Sequence, residues 1–393
     1  MARSLKVSVV TETYPPDMNG VAITVAEIVA GLLAREHQLQ LIRPRQHEAD
    51  QGQSYQGFEE VLVPGIPMPS YPGQRMGWPS LGVLHQLWSQ ERPDVVHITT
   101  QGPLGWAALQ VSCSLSIPVS TDFRTNFHSY SNHYGLGWLK QPILNYLRHF
   151  HNRSQRTMVP TEALRKELRR SGFRNLRVVA RGVDTERFAP HHRDNALRSR
   201  WGASDQTLVV LCVGRLAAEK NLETLIQAFE AIRRQHPDSL LVLVGKGPLE
   251  KQLRARCPQA VLAGRRSGKE LSAHYASADL FLFPSLTETF GNVTTEAMAS
   301  GLPVVAFANG SASLLVRNGI NGMLVDFGNN GAFVEAAVKL ATQRAQLPSH
   351  GLAARHSTLP LKWSTVVERF ERELISLTVH GKAVIHNTPV MPA

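Results

Sequence analysis

Twice along this chain, short apolar runs alternate with longer stretches of helical period, and few folds accept that pattern. In the first half the runs fall at 6–10, 38–42, 95–98, 119–120 and 157–159, and in the second at 208–213, 240–244, 261–263, 280–283, 304–306 and 323–325. A run such as Leu240-Leu-Val-Leu-Val244 is apolar throughout, as expected of a strand buried on both faces of a parallel sheet. Helical patterns separate the runs, for example at 20–35 and 161–170 and from near Lys220, Pro248, Lys269, Asn292, Ser311 and Gly331. Such alternation predicts an α/β chain with helices on both faces of each sheet.

The 393 residues suit two domains, with Gly182-Val-Asp184 to Phe188-Ala-Pro190 as a plausible hinge. The expected division is 1–181 and 182–362, then a last helix at 363–379 and a disordered tail at 380–393. The stretch 46–79, rich in Gly, Pro and Gln, reads as long loops over one short strand near 60–63. Two doubly wound domains facing each other across a cleft bring two sets of strand ends to one site, which suits a nucleotide-linked substrate.

Glu288 and Glu296 are the most informative side chains. They lie eight apart, directly after the apolar run Leu280-Phe-Leu-Phe283-Pro284, with Gly291 between them. The first belongs to the turn at the carboxyl end of a strand and the second to the helix that follows. Gly291 permits close approach, and the helix start offers bare amides. Two carboxylates and free N–H groups fit a ligand with many hydroxyls. A solvated helix start, where acids oppose the macrodipole, is the plain alternative. A glycosidase-type carboxyl pair needs roughly 5 to 9.5 Å between its members, whereas eight residues of helix span about 12 Å.

Arg215 and Lys220 occupy the turn after the first strand of the second half, in Val213-Gly214-Arg215-Leu-Ala-Ala-Glu219-Lys220-Asn221. Two fixed cations there can hold a diphosphate and stabilise its departure. Gly245-Lys-Gly247-Pro248 is a second strand–turn–helix junction, and Gly20 opens the helix after the first strand of the chain. No Asp-x-Asp occurs, which favours protein cations over Mg²⁺ or Mn²⁺ as the partners of a diphosphate. The expectation is no cofactor and no metal.

Three cysteines with no close pair (Cys113, Cys212, Cys257) fit a reducing cytosol. No run is long enough to span a bilayer and no leader precedes the first strand, so the chain reads as cytoplasmic, either soluble or peripheral. The net charge is +11. Residues 123–161 hold no Asp or Glu and carry Arg124, Lys140, Arg148, Arg153 and Arg156. Leu139, Ile143, Tyr146, Leu147 and Phe150 recur there at helical spacing. Such a helix can lie on an anionic membrane, or it can pack its apolar face into its own domain. No nucleic-acid motif accompanies the charge.

Taken together, Gly214-Arg215…Glu219-Lys220-Asn221, Gly245-x-Gly247-Pro248, Glu288-x₇-Glu296, Glu296-Ala-Met-Ala-Ser-Gly301-Leu-Pro, Gly182-Val-Asp184…Phe188-x-Pro190 and Pro15-Pro-x₃-Gly20-Val resemble the retaining glycosyltransferases of family 4. The resemblance runs to about Leu377. It implies the GT-B fold, with the final helix crossing back to the first domain, and transfer of a sugar from a nucleotide diphosphate sugar with retention. It further implies that Arg215 and Lys220 bind the donor diphosphate, that Glu288 contacts donor sugar hydroxyls and that Glu296 holds the ribose. Gly214, Gly245, Phe290, Gly291, Asn292 and Val293 would complete the donor site, with Gly20 against the phosphates. Where relatives often carry His, this chain has Arg124, in Thr121-Asp122-Phe-Arg124-Thr-Asn126-Phe-His128. Arg124 and His128 are thus alternative contacts to the donor sugar, His128 being the candidate catalytic group, with Asn126 and Tyr130 beside them on the acceptor side. The implied reaction is transfer of a hexose to a membrane lipid or lipid-linked glycan, with mannose from GDP-mannose the first choice. A UDP-hexose enzyme acting on a polysaccharide or small metabolite, or a GT-B nucleotide-sugar epimerase, is the alternative.

Overall fold

The structure, a computed structural model, describes residues 4–17, 19–67, 75–124 and 140–380. The chain forms two compact units. The first takes the described residues up to Ala180 together with those from Trp363 onward, and the second is Arg181–Lys362.

In the first unit the strands are β1 (Lys6–Val10), β2 (Gln38–Pro44), β3 (Ser54–Tyr55), β4 (Phe58–Val63), β5 (Gly65–Pro67), β6 (Arg75–Gly77), β7 (Val95–Ile98), β8 (Val119–Asp122), β9 (Arg156–Val159) and β10 (Leu176–Val178). Eight of them form one sheet in the order β10-β9-β8-β7-β1-β2-β4-β3, and β5 pairs with β6 separately. The large sheet is parallel except for β3, which runs antiparallel to β4. Helix Gly20–Leu33 starts where it does because the Asn19 side chain accepts the N–H groups of Val21 and Ala22 at 3.0 and 2.9 Å. In the stretch 46–79 the short strand near 60–63 is part of β4, and the loop reading is corrected only by β3, β5 and β6, pieces too short to show an apolar run.

The last helix, Trp363–His380, belongs to this first unit. Its stripe of Val366, Val367, Phe370, Leu374 and Leu377 completes a core with Val7, Val9, Val25, Ile28 and Leu32. Polar bonds fix its rotation. The Leu5 N–H donates to His37 Nδ1 at 3.1 Å, so the His37 proton sits on Nε2 and faces Glu371 Oε1 at 2.8 Å. Arg35 pairs with the other Glu371 oxygen at 2.7 Å. Burial alone would raise the Glu371 carboxyl, but the bonds from Arg35 and His37 outweigh it and hold it below its ordinary value. Arg156, at the start of β9, reaches the Glu373 carboxylate at 2.7 Å.

Helix Lys140–Asn152 turns most of its apolar side inward, Tyr146 remaining 40% exposed. Leu147 and Phe150 are fully buried, and Ile143 and Leu144 pack against the cluster of Phe123, Val159 and Leu164. Of the two readings of this segment, packing into its own domain is the one observed for these residues. Leu139 lies outside the described residues.

The second unit holds β11 (Val209–Val213), β12 (Leu240–Val244), β13 (Val261–Gly264), β14 (Leu280–Phe283), β15 (Val304–Phe307) and β16 (Gly322–Val325). All are parallel, in the order β13-β12-β11-β14-β15-β16. The order reverses between β11 and β14, which is the switch point where open α/β sheets bind ligands. Arg198, 2% exposed in helix Asn195–Arg200, ties the rim of this unit together. It donates to the carbonyls of Ser277, Ser204 and Thr207 at 2.8, 3.0 and 2.9 Å and to Asp279 at 3.1 Å.

Candidate functional site

The turns after β11 and β14 flank that switch point. After β11 comes a tight connection: the Gly214 N–H bonds the Val244 carbonyl at 2.9 Å, and Ala218–Lys220 form one 3₁₀ turn before helix Leu222–Gln235. Gly245, after β12, has φ +147, and a Cβ there would stand 1.8 Å from the Gly214 oxygen, so the two turns stack only because Gly245 carries no side chain. Arg215 is half exposed, 3.8 Å from the buried Glu219 carboxylate.

Lys220 and Glu288 meet directly. The Lys220 ammonium pairs with Glu288 Oε1, lies 3.3 Å from the Ser285 hydroxyl and 5.4 Å above the Phe283 ring. Ser285 donates to the same Glu288 oxygen at 2.8 Å. Both charged side chains are more than four-fifths buried, at 14% and 13% exposure, so the pair acts in a medium of lowered dielectric where charge counts for more than in water. The resemblance gives these residues separate tasks, and the structure adds that they form one cluster.

Helix Asn292–Ala299 starts at Gly291, whose φ of +84 favours glycine, and no side chain caps it. Its first N–H groups are therefore offered to a ligand beside Glu288. Among the described residues, the buried Thr287 Oγ1 and Asn292 Oδ1 in the same loop lack hydrogen-bond partners. Phe290 is buried, with the Arg181 guanidinium 5.9 Å over its ring, and Val293 is half-buried. Glu296 lies one turn further, half-buried, its Oε2 accepting the Tyr275 hydroxyl at 2.9 Å. Burial raises the Glu296 carboxyl above its ordinary value, opposed by the Tyr275 bond and the Arg187 charge. The two glutamates thus have different partners, a cation for one and a phenol for the other.

In the first unit, Gly20 is exposed at the first position of its helix. Arg124 is buried at 6% exposure and pairs with Asp122, which also faces His97 Nε2 at 3.2 Å. Its charge is matched from within the chain, and so is that of Arg156. The candidates Asn126, His128 and Tyr130 lie outside the described residues. A buried polar chain runs from the end of β8 to helix Lys140–Asn152. Gln101 Nε2 donates to the Asp122 carbonyl at 2.9 Å and faces His151 Nε2 at 3.2 Å, and His151 Nδ1 meets Thr121 Oγ1 at 2.9 Å. Burial pushes the His151 imidazole down to about 3, so it is neutral.

Glu12 was not singled out from the sequence, where its only signal is an acid directly after a buried strand. It is 6% exposed and accepts the Leu104 N–H at 3.1 Å and that of Gly77, joining the end of β6 to helix Pro103–Ser114. Burial raises its carboxyl to about 7, against the backbone bonds that lower it. Between an ordinary 4.5 and about 7 the folded chain keeps a proton that the unfolded chain releases, so stability falls as pH rises through that window. The expected loss is about 3 kcal/mol at most. Urea unfolding at pH 5 and pH 7.5 checks this. Glu12→Gln should remove the fall, and an unchanged pH slope would contradict the assignment.

Among the described residues no group of three or more His, Cys, Asp or Glu is placed to hold a metal, and no helix is long and apolar enough to cross a membrane.

Comparison with known proteins identifies the family. The family described as Glycosyltransferase Family 4 matches residues 18–187, and that described as Glycosyl transferases group 1 matches residues 207–343. The chain is 32% identical over 369 residues to the GDP-mannose-dependent alpha-mannosyltransferase of Mycobacterium tuberculosis, covering 93% of this chain and 94% of that protein. It is 36% identical over 305 residues to the protein of that name from Corynebacterium glutamicum, covering 77% and 72%. A third relative, 28% identical over 93% of this chain and 96% of its own, is the GDP-mannose-dependent alpha-(1-6)-phosphatidylinositol monomannoside mannosyltransferase of Mycobacterium tuberculosis. Among solved structures, sucrose-phosphate synthase from Thermosynechococcus elongatus superposes with a TM-score of 0.78 at 18% identity, covering 96% of this chain and 100% of that one, which shows a shared GT-B fold. The chain belongs to glycosyltransferase family 4, whose members are retaining enzymes.

Proposed function

We propose that this glycosyltransferase moves mannose from GDP-mannose to a hydroxyl of a membrane lipid or lipid-linked glycan. The observation that carries the reading is the Lys220–Glu288–Ser285 cluster beside the uncapped amides of Asn292 and Val293, a cradle for a diphosphate joined to a polyol. The donor and acceptor draw on the names of the relatives. Arg215 and Lys220 stabilise the departing diphosphate while positive charge develops on the sugar, and the uncapped amides add fixed dipoles. The acceptor hydroxyl attacks from the face the diphosphate leaves, and a phosphate oxygen takes its proton. Glu288 holds sugar hydroxyls and Glu296 the ribose. No step calls for a metal, so sugar transfer should persist in excess EDTA, and loss of activity restored by Mg²⁺ or Mn²⁺ would overturn that part.

A peripheral membrane setting at a cytoplasmic face rests on charge rather than on insertion. The Leu147 and Phe150 face is used internally, while Lys166, Arg169 and Arg170 of helix Glu162–Arg170 are exposed. Binding to anionic vesicles should therefore weaken as salt rises.

Thermal unfolding against a panel of GDP- and UDP-sugars tests the donor. A ligand at 100 times its Kd adds about 2.7 kcal/mol, so GDP-mannose should raise the midpoint by several degrees. Stabilisation by UDP-sugars alone would replace the donor by a UDP-hexose, and isomerised donor without acceptor would mark an epimerase.

A further inference from the structure

We propose that Tyr275 is a positioning residue for the nucleoside end of the donor, its hydroxyl setting the orientation in which Glu296 meets the ribose. The inference rests on the reading of Glu296 given above and names the residue that makes that reading geometrically specific.

Tyr275 lies in the last turn of helix Gly268–Ala276 and has no exposed surface. Its ring is held edge-on to Phe188, with centroids 5.6 Å apart at 87°, and tilted against Phe281 at 5.9 Å. Packing of that kind asks only for a ring, and a phenylalanine would supply it without a polar atom to bury. A buried hydroxyl is costly unless bonded. Here the bond is to Glu296 Oε2, so the hydroxyl's evident use is the carboxylate. Glu296 stands on the first turns of helix Asn292–Ala299, and its flexible side chain would otherwise rotate among several rotamers. With Oε2 committed to Tyr275, Oε1 is the oxygen left to accept ribose hydroxyls. The arrangement has a counterpart in the same site, where the buried Ser285 hydroxyl donates to Glu288. Each glutamate is thus steadied by a hydroxyl that is itself locked in the core.

The test is isothermal titration of the full chain with GDP and UDP, each compared with its 2′,3′-dideoxy form. For whichever base binds, the wild-type chain should prefer the ribonucleotide by about tenfold or more, as befits hydrogen bonds to a charged group. In Glu296→Gln that preference should largely vanish. If it stays, the ribose reading itself falls. In Tyr275→Phe, which keeps the ring, the preference should drop about three- to tenfold through weaker ribonucleotide binding, with the dideoxy form bound as before. Phe188→Leu disturbs the ring packing and leaves the hydroxyl bond in place, so it should keep the wild-type preference. Should Glu296→Gln erase the preference while Tyr275→Phe leaves it intact or weakens both nucleotides equally, Tyr275 is only a packing residue and the inference fails.

Discussion

Lys220→Ala lowers sugar transfer by about 100- to 1000-fold, the scale seen when one preorganised donor is taken from developing negative charge. The loss should fall on kcat, since Lys220 acts on the departing diphosphate. Glu288→Gln should cost a similar factor for a different reason: it removes the anion that fixes the ammonium beside Ser285 and blunts the contact to sugar hydroxyls. Because the two side chains touch, the double variant should lose less than the two single losses combined. The fold should survive, for neither residue belongs to the apolar core and Ser285 still offers its hydroxyl to position 288. Steady-state kinetics with a thermal scan of each variant checks this. Turnover near that of the wild type in either single variant would sink the assignment.

The largest expected stability effect belongs to Arg198, far from any chemistry. Arg198→Met should destabilise the second unit by about 3–5 kcal/mol, as for other buried charged residues whose partners are left behind. The methionine can fill the volume but leaves the carbonyls of Ser277, Ser204 and Thr207 without this donor and removes one cation from Asp279. Urea unfolding of the variant reads the change, and a loss under about 1 kcal/mol would mean that water or repacking replaces the guanidinium.

The strands written most plainly in the sequence are buried along almost their whole length. Leu240–Val244 and Leu280–Phe283 write their burial into consecutive residues, so pattern and structure coincide. What escaped it has physical causes. Ser54–Tyr55 and Arg75–Gly77 are two or three residues long, and strands of that length leave no periodicity. Helix Leu347–Thr358 hides behind Pro348, yet proline in a first turn gives up an N–H that has no partner there anyway. The site was legible as a set of residue types, because Arg215, Lys220, Glu288 and Glu296 stand in short stretches of chain with distinctive spacing. Their pairing was not. That Lys220 binds Glu288, 68 residues away, or that Tyr275 reaches Glu296, depends on which strand lies beside which. Likewise, Arg124 reads as an available cation until its neighbour Asp122 and the burial of both are seen.

The last helix has a consequence for the order in which the molecule is made. Residues 181–362 are continuous in the chain and carry their own core, so that unit can close while it leaves the ribosome. The first unit lacks Val366, Phe370 and Leu374 until the final stretch emerges, and His37 has no Glu371 to face. The half that is synthesised first is therefore the half that is finished last, and until then it offers an apolar groove over Val25 and Ile28 to whatever escorts a nascent chain.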